Sequence, residues 1–220
     1  MTRLTHSFSS IKMFENCPHR YYHQRVAKTV VDKGGEASLH GERIHKFLED
    51  RLKGVTMELP PEIQQIEPTV QTIQKLVGNG QLHVELELTL NESLTPTGWW
   101  DADAWLRSKL DILVIKGSDA YCLDWKTGKR RPDFSQLELF AAQVFAHYPE
   151  VETVTSSFIW LKDTALDKET YKRQHLSRLW ENVLSRIKRI EQSAETNNWP
   201  AKPSGLCNYC PCKHFCEYAN

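Results

Sequence analysis

Two aspartates and a lysine are the residues best suited to chemistry in this 220-residue chain. Asp111 precedes the apolar run 112–115, and Asp124 and Lys126 follow the next apolar run in the order Asp-Trp-Lys. Mg²⁺ and Mn²⁺ prefer oxygen ligands, so each carboxylate can supply one ligand to a shared divalent cation. Lys126 lies two residues beyond Asp124 and therefore faces the same side of a strand. There its ammonium group could assist a water molecule or neutralise charge that builds on a phosphate.

Three further groups could complete this metal site. His45, on a predicted helix, offers an imidazole for a mixed nitrogen and oxygen site, and the backbone carbonyl of Trp125 offers a third oxygen. Glu85, on a predicted strand, is a second-rank candidate. The same residues are also compatible with purely structural roles, because Asp-Trp-Lys suits a charge pair on an edge strand and single helix histidines are often structural.

The six cysteines indicate a second site near the C-terminus. Cys207 and Cys210 have the two-residue spacing of a chelating pair, and Cys212 and Cys216 follow closely. These four thiolates could bind zinc, with His214 as a spare ligand, or remain unligated. The other two cysteines are Cys17 and Cys122.

Composition narrows the class of protein. With 40% apolar and 25% charged residues, the chain is typical of a soluble globular protein. It contains no apolar run of membrane-spanning length and no signal-peptide pattern at its start, so we expect a cytoplasmic protein without a membrane partner. In a reducing compartment, clustered cysteines are metal or cluster ligands rather than disulfides. The net charge is zero, so any nucleic-acid site must use a local basic groove such as Lys126 with 129–131.

Hydrophobic periodicity predicts an α/β chain with a central mixed β-sheet flanked by helices. Helices are predicted from Ser7, over 38–53, 62–77 and 136–147, and from Leu176. Strands are predicted over 83–90, 120–126, 154–161 and 169–174, with two more inside 99–115 joined by a turn near 107–109. One domain is expected over 1–220, made of a helical part (1–80), a catalytic core (81–175), a long helix (176–199) and a cysteine-rich tail (200–220).

Five tryptophans, Trp99, Trp100, Trp105, Trp125 and Trp160, fall within predicted strands. Core packing accounts for most of them, while exposed ones near the cleft could stack unpaired bases. No base-reading motif and no Walker A motif is visible in the sequence, so sequence specificity is not expected and helicase activity would belong to a partner.

Taken together, these pieces resemble the RecB-like branch of the PD-(D/E)XK nuclease superfamily, which includes the RecB and AddB nuclease domains and standalone CRISPR-associated exonucleases. The matching segments, in order, are Ser7–Ser10 with Cys17-Pro-His-Arg-Tyr-Tyr22, Gly41-x-x-Ile44-His45, Asp111, Asp124-Trp-Lys-Thr-Gly128 and Gln136-Leu-Glu-Leu-Phe140. Leu110 replaces the proline of the family name, and Phe140 stands where the family usually has tyrosine.

The resemblance implies a restriction-endonuclease-like core in which His45, Asp111 and Asp124 hold Mg²⁺ or Mn²⁺. Lys126 would be the catalytic lysine, and Gln136 would position the DNA or the active site. It also implies a structural [4Fe–4S] cluster on Cys17, Cys207, Cys210 and Cys216, with zinc as the alternative. The cluster would join the N- and C-terminal segments and close a loop of about 190 residues.

The function so implied is a metal-dependent DNA exonuclease acting on single-stranded ends. Its setting would be recombination, repair, phage DNA metabolism or CRISPR adaptation in a prokaryote or a phage, with a helicase, a recombinase or the CRISPR adaptation machinery as partner. The rival interpretations are a non-catalytic DNA-end-binding subunit of a helicase–nuclease assembly and a zinc-stabilised structural protein.

Overall fold

The computed structural model describes residues 4–214 and 216–219. The chain forms two compact units. Residues 35–180 make one, here called the sheet unit, and residues 1–34 with 181–220 make the other, here called the terminal unit. None of the described helices has both the length and the apolar composition needed to cross a bilayer. The expectation that the whole chain acts as one nuclease domain stays a prediction.

A five-stranded mixed sheet forms the centre of the sheet unit. Its strands lie in the order of the sequence: β1 (Gln81–Leu90), β2 (Leu106–Lys116), β3 (Asp119–Lys126), β4 (Thr153–Trp160) and β5 (Ala165–Lys172). Only β3 and β4 pair in parallel, and the other neighbours are antiparallel. The parallel pair needs a crossover, which contains helix α5 (Phe134–His147). The predicted mixed sheet is confirmed.

Strand β2 differs from its prediction. The predicted pair of strands within 99–115, with a turn near 107–109, is wrong, because Leu106–Lys116 is one continuous strand. Leu106, Ser108 and Leu110 are buried, and the charged residues between them point to the other face. Alternation of charged and buried residues therefore marks a half-buried strand here, not a turn.

The prediction that three of the tryptophans lie in strands is wrong for the same reason. Trp99, Trp100 and Trp105 lie in the connection between β1 and β2 rather than in a strand, whereas Trp125 and Trp160 lie in β3 and β4 as predicted.

Two helices of the sheet unit share an apolar core with the strands. They are α3 (Glu36–Leu52) and α4 (Glu67–Val77), which confirm the predicted helices except that Pro61–Ile66 forms a 3₁₀ turn before α4. The core contains Ile44, Leu48, Leu52, Ile63, Ile66, Val70, Ile73, Ile112, Val114, Leu123, Trp125 and Ile159. Leu39, near the start of α3, lies outside this core and is 59% exposed.

The terminal unit begins with α1 (Phe8–Asn16), which Ser7 caps as predicted. The side chain of Ser7 accepts a hydrogen bond from the backbone of Ser10, and the hydroxyl of Ser10 accepts one from the backbone of Ser7. This reciprocal capping box satisfies two backbone donors that the first turn leaves open. Helix α2 (Pro18–Tyr21) follows after Cys17 and continues as a π-helical stretch, Tyr22–Val26.

Helix α6 (Leu176–Thr196) supplies this unit from Glu181 onward. Glu15 accepts hydrogen bonds from Arg186 at 2.7 Å and from Arg189 at 3.0 Å, which tie α1 to α6. The ring of Trp199 stacks on Tyr21 with 5.8 Å between centroids. The two ends of the chain therefore contact each other within the terminal unit.

Candidate active site and cysteine cluster

Three carboxylates lie in one row across the sheet. The register of β1 on β2 places Glu85 opposite Asp111, and the register of β2 on β3 places Asp124 opposite Asp111. Neither pair is joined by the backbone ladder, since the first ladder skips this position and the second ends one residue short of it. The regular pairing of the strands is therefore interrupted at the position where the three carboxylates lie.

The backbone at Glu85 is the source of the first interruption. Its φ of 59° is left-handed, which costs a residue with a side chain about 1–2 kcal/mol and takes it out of the regular ladder. Its carboxylate is held 2.6 Å from the ammonium group of Lys109, an ion pair that raises the pKa of Lys109. Backbone strain of this kind concentrates at functional sites.

Asp111 connects β2, β3 and α3 through its two oxygens. Oδ2 accepts a hydrogen bond of 2.8 Å from the backbone N–H of Trp125, and Oδ1 lies 3.4 Å from Nδ1 of His45. Burial lowers the pKa of His45, but the carboxylates of Asp111, Asp124 and Glu85 outweigh it, and the pKa is raised. The ligand atoms of His45, Glu85 and Asp111 all lie within 4.8 Å of one another, which suits a metal ion.

Asp124, Lys126 and Gln136 form a closed triangle beside this group. The ammonium group of Lys126 lies 2.6 Å from Asp124 Oδ2 and donates a 3.0 Å hydrogen bond to Gln136 Oε1. Gln136 Nε2 in turn donates to Asp124 Oδ1 at 3.2 Å. Burial raises the pKa of Asp124 to about 6, with Lys126 opposing and Asp111 adding to the shift. The triangle fixes the direction of the lysine, which also lies 4.9 Å from the ring of Phe158.

An open cleft of about 590 Å³ gives access to the metal-binding group. His45, Glu85, Lys109 and Asp111 line it, together with Thr127 and further residues of α3. Gly41 lets α3 approach the end of β3, because a Cβ on this residue would lie 3.2 Å from Thr127 Oγ1. This close approach accounts for the glycine in the Gly-x-x-Ile-His segment.

The grouping of the predicted residues differs from the prediction in one respect. His45, Asp111, Asp124, Lys126 and Gln136 all meet, but Asp124 is engaged with Lys126 instead of joining the tight group of possible ligands. Glu85, the second-rank candidate, takes that place. In the sequence of β1, Glu85 and Glu87 alternate with apolar residues in the same way. The sequence pattern therefore does not distinguish them, and the register places only Glu85 opposite Asp111.

The cysteines meet in the terminal unit. All six are free thiols, and five of them line one cavity of about 60 Å³: Cys17, Cys207, Cys210, Cys212 and Cys216. Backbone N–H groups point at two of the sulfurs, from Lys202 to Cys17 at 3.5 Å and from Ser204 to Cys207 at 3.2 Å. The remaining thiol, Cys122, is buried in β3, where burial raises its pKa.

Cys212 lies close to the other thiols although it was predicted not to be a ligand. It is 1% exposed, and burial with a hydrogen bond to Cys210 raises the pKa of Cys212 to about 12. That Cys212 is not a ligand of the cluster stays a prediction.

Comparison with known proteins decides the family. A family model described as the PD-(D/E)XK nuclease superfamily matches residues 5–217. The chain belongs to this superfamily. Its nucleases use divalent metal ions, and an imidazole with two carboxylates in the cleft is a donor set that suits such an ion. No curated protein matches the chain.

Two solved structures match the chain over most of its length. One is a candidate exonuclease from Eubacterium rectale, at 16% identity and a TM-score of 0.56, with 96% of this chain and 87% of that chain covered. The other is the protein designated SSO0001, at 11% identity and a TM-score of 0.45, with 100% of this chain and 89% of that chain covered.

Proposed function

We propose that this nuclease is a divalent-metal-dependent DNA exonuclease that acts on single-stranded ends. The observation that carries the proposal is the connected site in which Asp111 links His45 to the backbone of β3 while Asp124, Lys126 and Gln136 form the adjoining triangle. A structural protein has no need for three carboxylates in one row beside a strained backbone, because like charges repel and strain lowers stability.

His45, Asp111 and Asp124 are the proposed metal ligands, and Glu85, whose carboxylate lies beside His45 and Asp111, is proposed as a fourth. The backbone carbonyl of Trp125 is a further oxygen ligand in the proposal. The carbonyl of the next residue, Lys126, accepts from Leu161 N–H on the β4 side, so the Trp125 carbonyl faces the edge where Asp111 lies. When bound, Mg²⁺ or Mn²⁺ supplies a Lewis acid for phosphodiester hydrolysis.

Lys126 and Gln136 have distinct roles in this proposal. The side chain of Lys126 is 28% exposed, so its ammonium group can reach a phosphate or a water in the cleft while Asp124 holds it in place. There it stabilises negative charge as the phosphodiester is attacked. Gln136 does not contact the substrate in the proposal; it orients both Lys126 and Asp124 through its amide.

Preference for single-stranded ends rests on several weaker observations. One structural neighbour is a candidate exonuclease, and the motif order resembles the RecB-like branch. Lys129 and Arg131 are exposed just after Lys126 and can follow a phosphate backbone. Strand separation would be left to a helicase partner, and recombination or CRISPR adaptation proteins are the other proposed partners.

We further propose a structural [4Fe–4S] cluster on Cys17, Cys207, Cys210 and Cys216. These four cysteines line one cavity of the terminal unit, together with Cys212. The N–H groups directed at the sulfurs are the kind of contact that tunes such clusters.

The decisive test is digestion of end-labelled single- and double-stranded DNA with Mg²⁺ or Mn²⁺. We expect the wild-type protein to shorten single strands from an end, and Asp124→Ala and Lys126→Ala to abolish the activity. Asp119→Asn and Lys116→Ala, which change exposed residues of β3 and of the neighbouring strand β2, should cut at the wild-type rate. Wild-type protein that leaves every substrate intact, or active Asp124→Ala and Lys126→Ala variants, would overturn the proposal.

A further inference from the structure

Trp100 is the most exposed tryptophan of the sheet unit. Its side chain is 85% exposed, in the connection between β1 and β2. Tryptophan usually buries most of its large apolar surface, so an indole held in water requires a physical reason. Exposed aromatic side chains of this kind commonly mark binding surfaces.

The loop that presents Trp100 is well ordered. Thr97 Oγ1 lies 2.8 Å from carboxylate oxygens of both Asp101 and Asp103, and the backbone N–H of Gly98 donates to Asp101 at 2.6 Å. A Cβ on Gly98 would lie 2.8 Å from the Asp101 carboxylate, so a larger residue here would displace that carboxylate from its hydrogen bonds. The two carboxylates are thus occupied within the loop. Trp100 is held outward by this network rather than left exposed by a loose segment.

Arg107 adds a positive charge to the exposed ring. Its guanidinium carbon lies 5.2 Å from the ring centroid of Trp99 and 5.5 Å from that of Trp100. Within the described residues no carboxylate pairs with its guanidinium, whose Nε is buried without a hydrogen-bond acceptor. The positive charge of Arg107 is therefore not neutralised by the described residues and can attract a phosphate. We call Trp99, Trp100 and Arg107 the tryptophan platform.

Strand β2 connects the platform to the cleft. Arg107, Lys109 and Asp111 alternate along the strand, so their side chains share one face. The distance from Arg107 to Asp111 along the strand is roughly 13 Å, at the rise of an extended chain. Lys109, between them, lines the cleft. A single-stranded nucleic acid that enters the cleft can therefore extend along β2 to the platform and contact the cations Lys109 and Arg107.

We propose that the tryptophan platform stacks unpaired bases of the single strand whose phosphate occupies the cleft. The inference rests on the proposed function and deepens it, since it assigns the recognition of single strands to named residues. Every base has a face that can stack on an indole, so such a platform accepts any sequence. Two indole rings that share one guanidinium fit a nucleic acid, because bases stack on the rings and the guanidinium attracts a phosphate.

The test compares two oligonucleotides of equal length, oligo-dT and a strand of abasic sites, both end-labelled and measured by fluorescence anisotropy in EDTA. Trp100→Ala should weaken binding of oligo-dT by about 5- to 150-fold, the usual range for loss of one stacked base. It should leave binding of the abasic strand unchanged. Trp100→Phe, which keeps an aromatic face, should restore most of the binding.

Met57→Ala is the matched control, since Met57 is 81% exposed in another loop of the sheet unit and the variant should bind both strands like the wild type. Equal weakening on both strands, or no weakening on oligo-dT, would overturn the platform, and the latter result would leave a protein partner as its use. The outcome is separate from that of the cleavage test. Wild-type protein that binds but never cuts contradicts the proposed function alone, whereas cutting with unchanged binding by Trp100→Ala contradicts the platform alone.

Discussion

The sheet unit and the terminal unit hold their reactive residues by different means. Asp111 and Asp124 lie on strands of a hydrogen-bonded sheet, whose register places them opposite each other without any ligand. The cysteines of the terminal unit lie instead at the end of α1 and in short 3₁₀ turns and loops. The backbone hydrogen bonds at Cys17, Cys207 and Cys210 span only three or four residues. A bound cluster would therefore add a long-range link between these positions.

The two sites should therefore affect the stability of the protein in opposite directions. In the sheet unit, the carboxylates crowd one another and one backbone residue is strained, so the site lowers stability to obtain its geometry. In the terminal unit, the cysteines would raise stability through the group that they bind. Substitutions at the carboxylate site should lower activity without lowering stability, whereas substitutions of the cluster cysteines should lower stability. Four predictions test this contrast, from the largest effect to the smallest.

The largest effect is expected from Cys17→Ala. This variant should lose iron and should lower the free energy of unfolding by roughly 2–5 kcal/mol, the range for loss of a long covalent cross-link. Iron and acid-labile sulfide analysis, with urea unfolding under anaerobic conditions, measures both. Cys122→Ala is the control, because its buried thiol in β3 should leave the iron content unchanged. A colourless wild-type protein that contains zinc would show that the alternative metal is present.

Asp124→Asn should lower activity without lowering stability. Activity should fall about 10²- to 10³-fold, as expected when one charged group of a catalytic site is lost. The free energy of unfolding in EDTA should not decrease, because the variant removes a buried carboxylate that faces Asp111. Rate measurements and urea unfolding on the same preparation test this. A large loss of stability would mean that Asp124 is chiefly structural, and the contrast between the units would fail.

A pH effect is expected from His6 in the terminal unit. Burial, with a smaller contribution from Arg25, lowers the pKa of His6 to about 4, against an ordinary value of 6.5. The unfolded chain therefore binds a proton below pH 6.5 that the folded chain does not bind. Stability should be highest above pH 6.5 and should decline as the pH falls towards 4, by roughly 3 kcal/mol at most.

The variant His6→Leu isolates this contribution. Urea unfolding at pH 7.5 and pH 5 should show a smaller loss of stability on acidification in His6→Leu than in the wild type. Glu191 lies 3.5 Å from His6 but is 41% exposed, so it offsets only part of the burial effect. Identical losses in both proteins would show that the pKa of His6 is not lowered by folding.

The smallest effect is expected from Gly41→Ala. The new Cβ would press on Thr127 beside the cleft, so we expect a few-fold loss of activity as α3 or Thr127 shifts. Stability should change by less than about 1 kcal/mol, since alanine favours a helix more than glycine does. Gly35→Ala, which has open space around its Cβ at the start of α3, is the control and should keep full activity. A fully active Gly41→Ala variant would show that the close approach of α3 is not needed.

Local features were largely predictable from the sequence. The capping residues at Ser7, the helix that carries His45, the strand that ends in Asp124-Trp-Lys126 and the helix that begins near Gln136 all follow from periodicity and end signals. Each depends on neighbours within a few residues, and such short-range preferences can be read without the fold. Which residues could act as metal ligands was also predictable, because the ability to bind a metal depends on the type of side chain.

Only the tertiary structure decided which of these residues meet. Glu85 faces Asp111 and Glu87 does not, because strand register pairs residues that are far apart in the chain, and periodicity assigns a face without naming a partner. The continuity of β2 was decided in the same way, since pairing with β1 stabilises a segment whose charges also suit a turn. The shared cavity of Cys17, Cys212 and the other tail cysteines likewise depends on the meeting of the two chain ends.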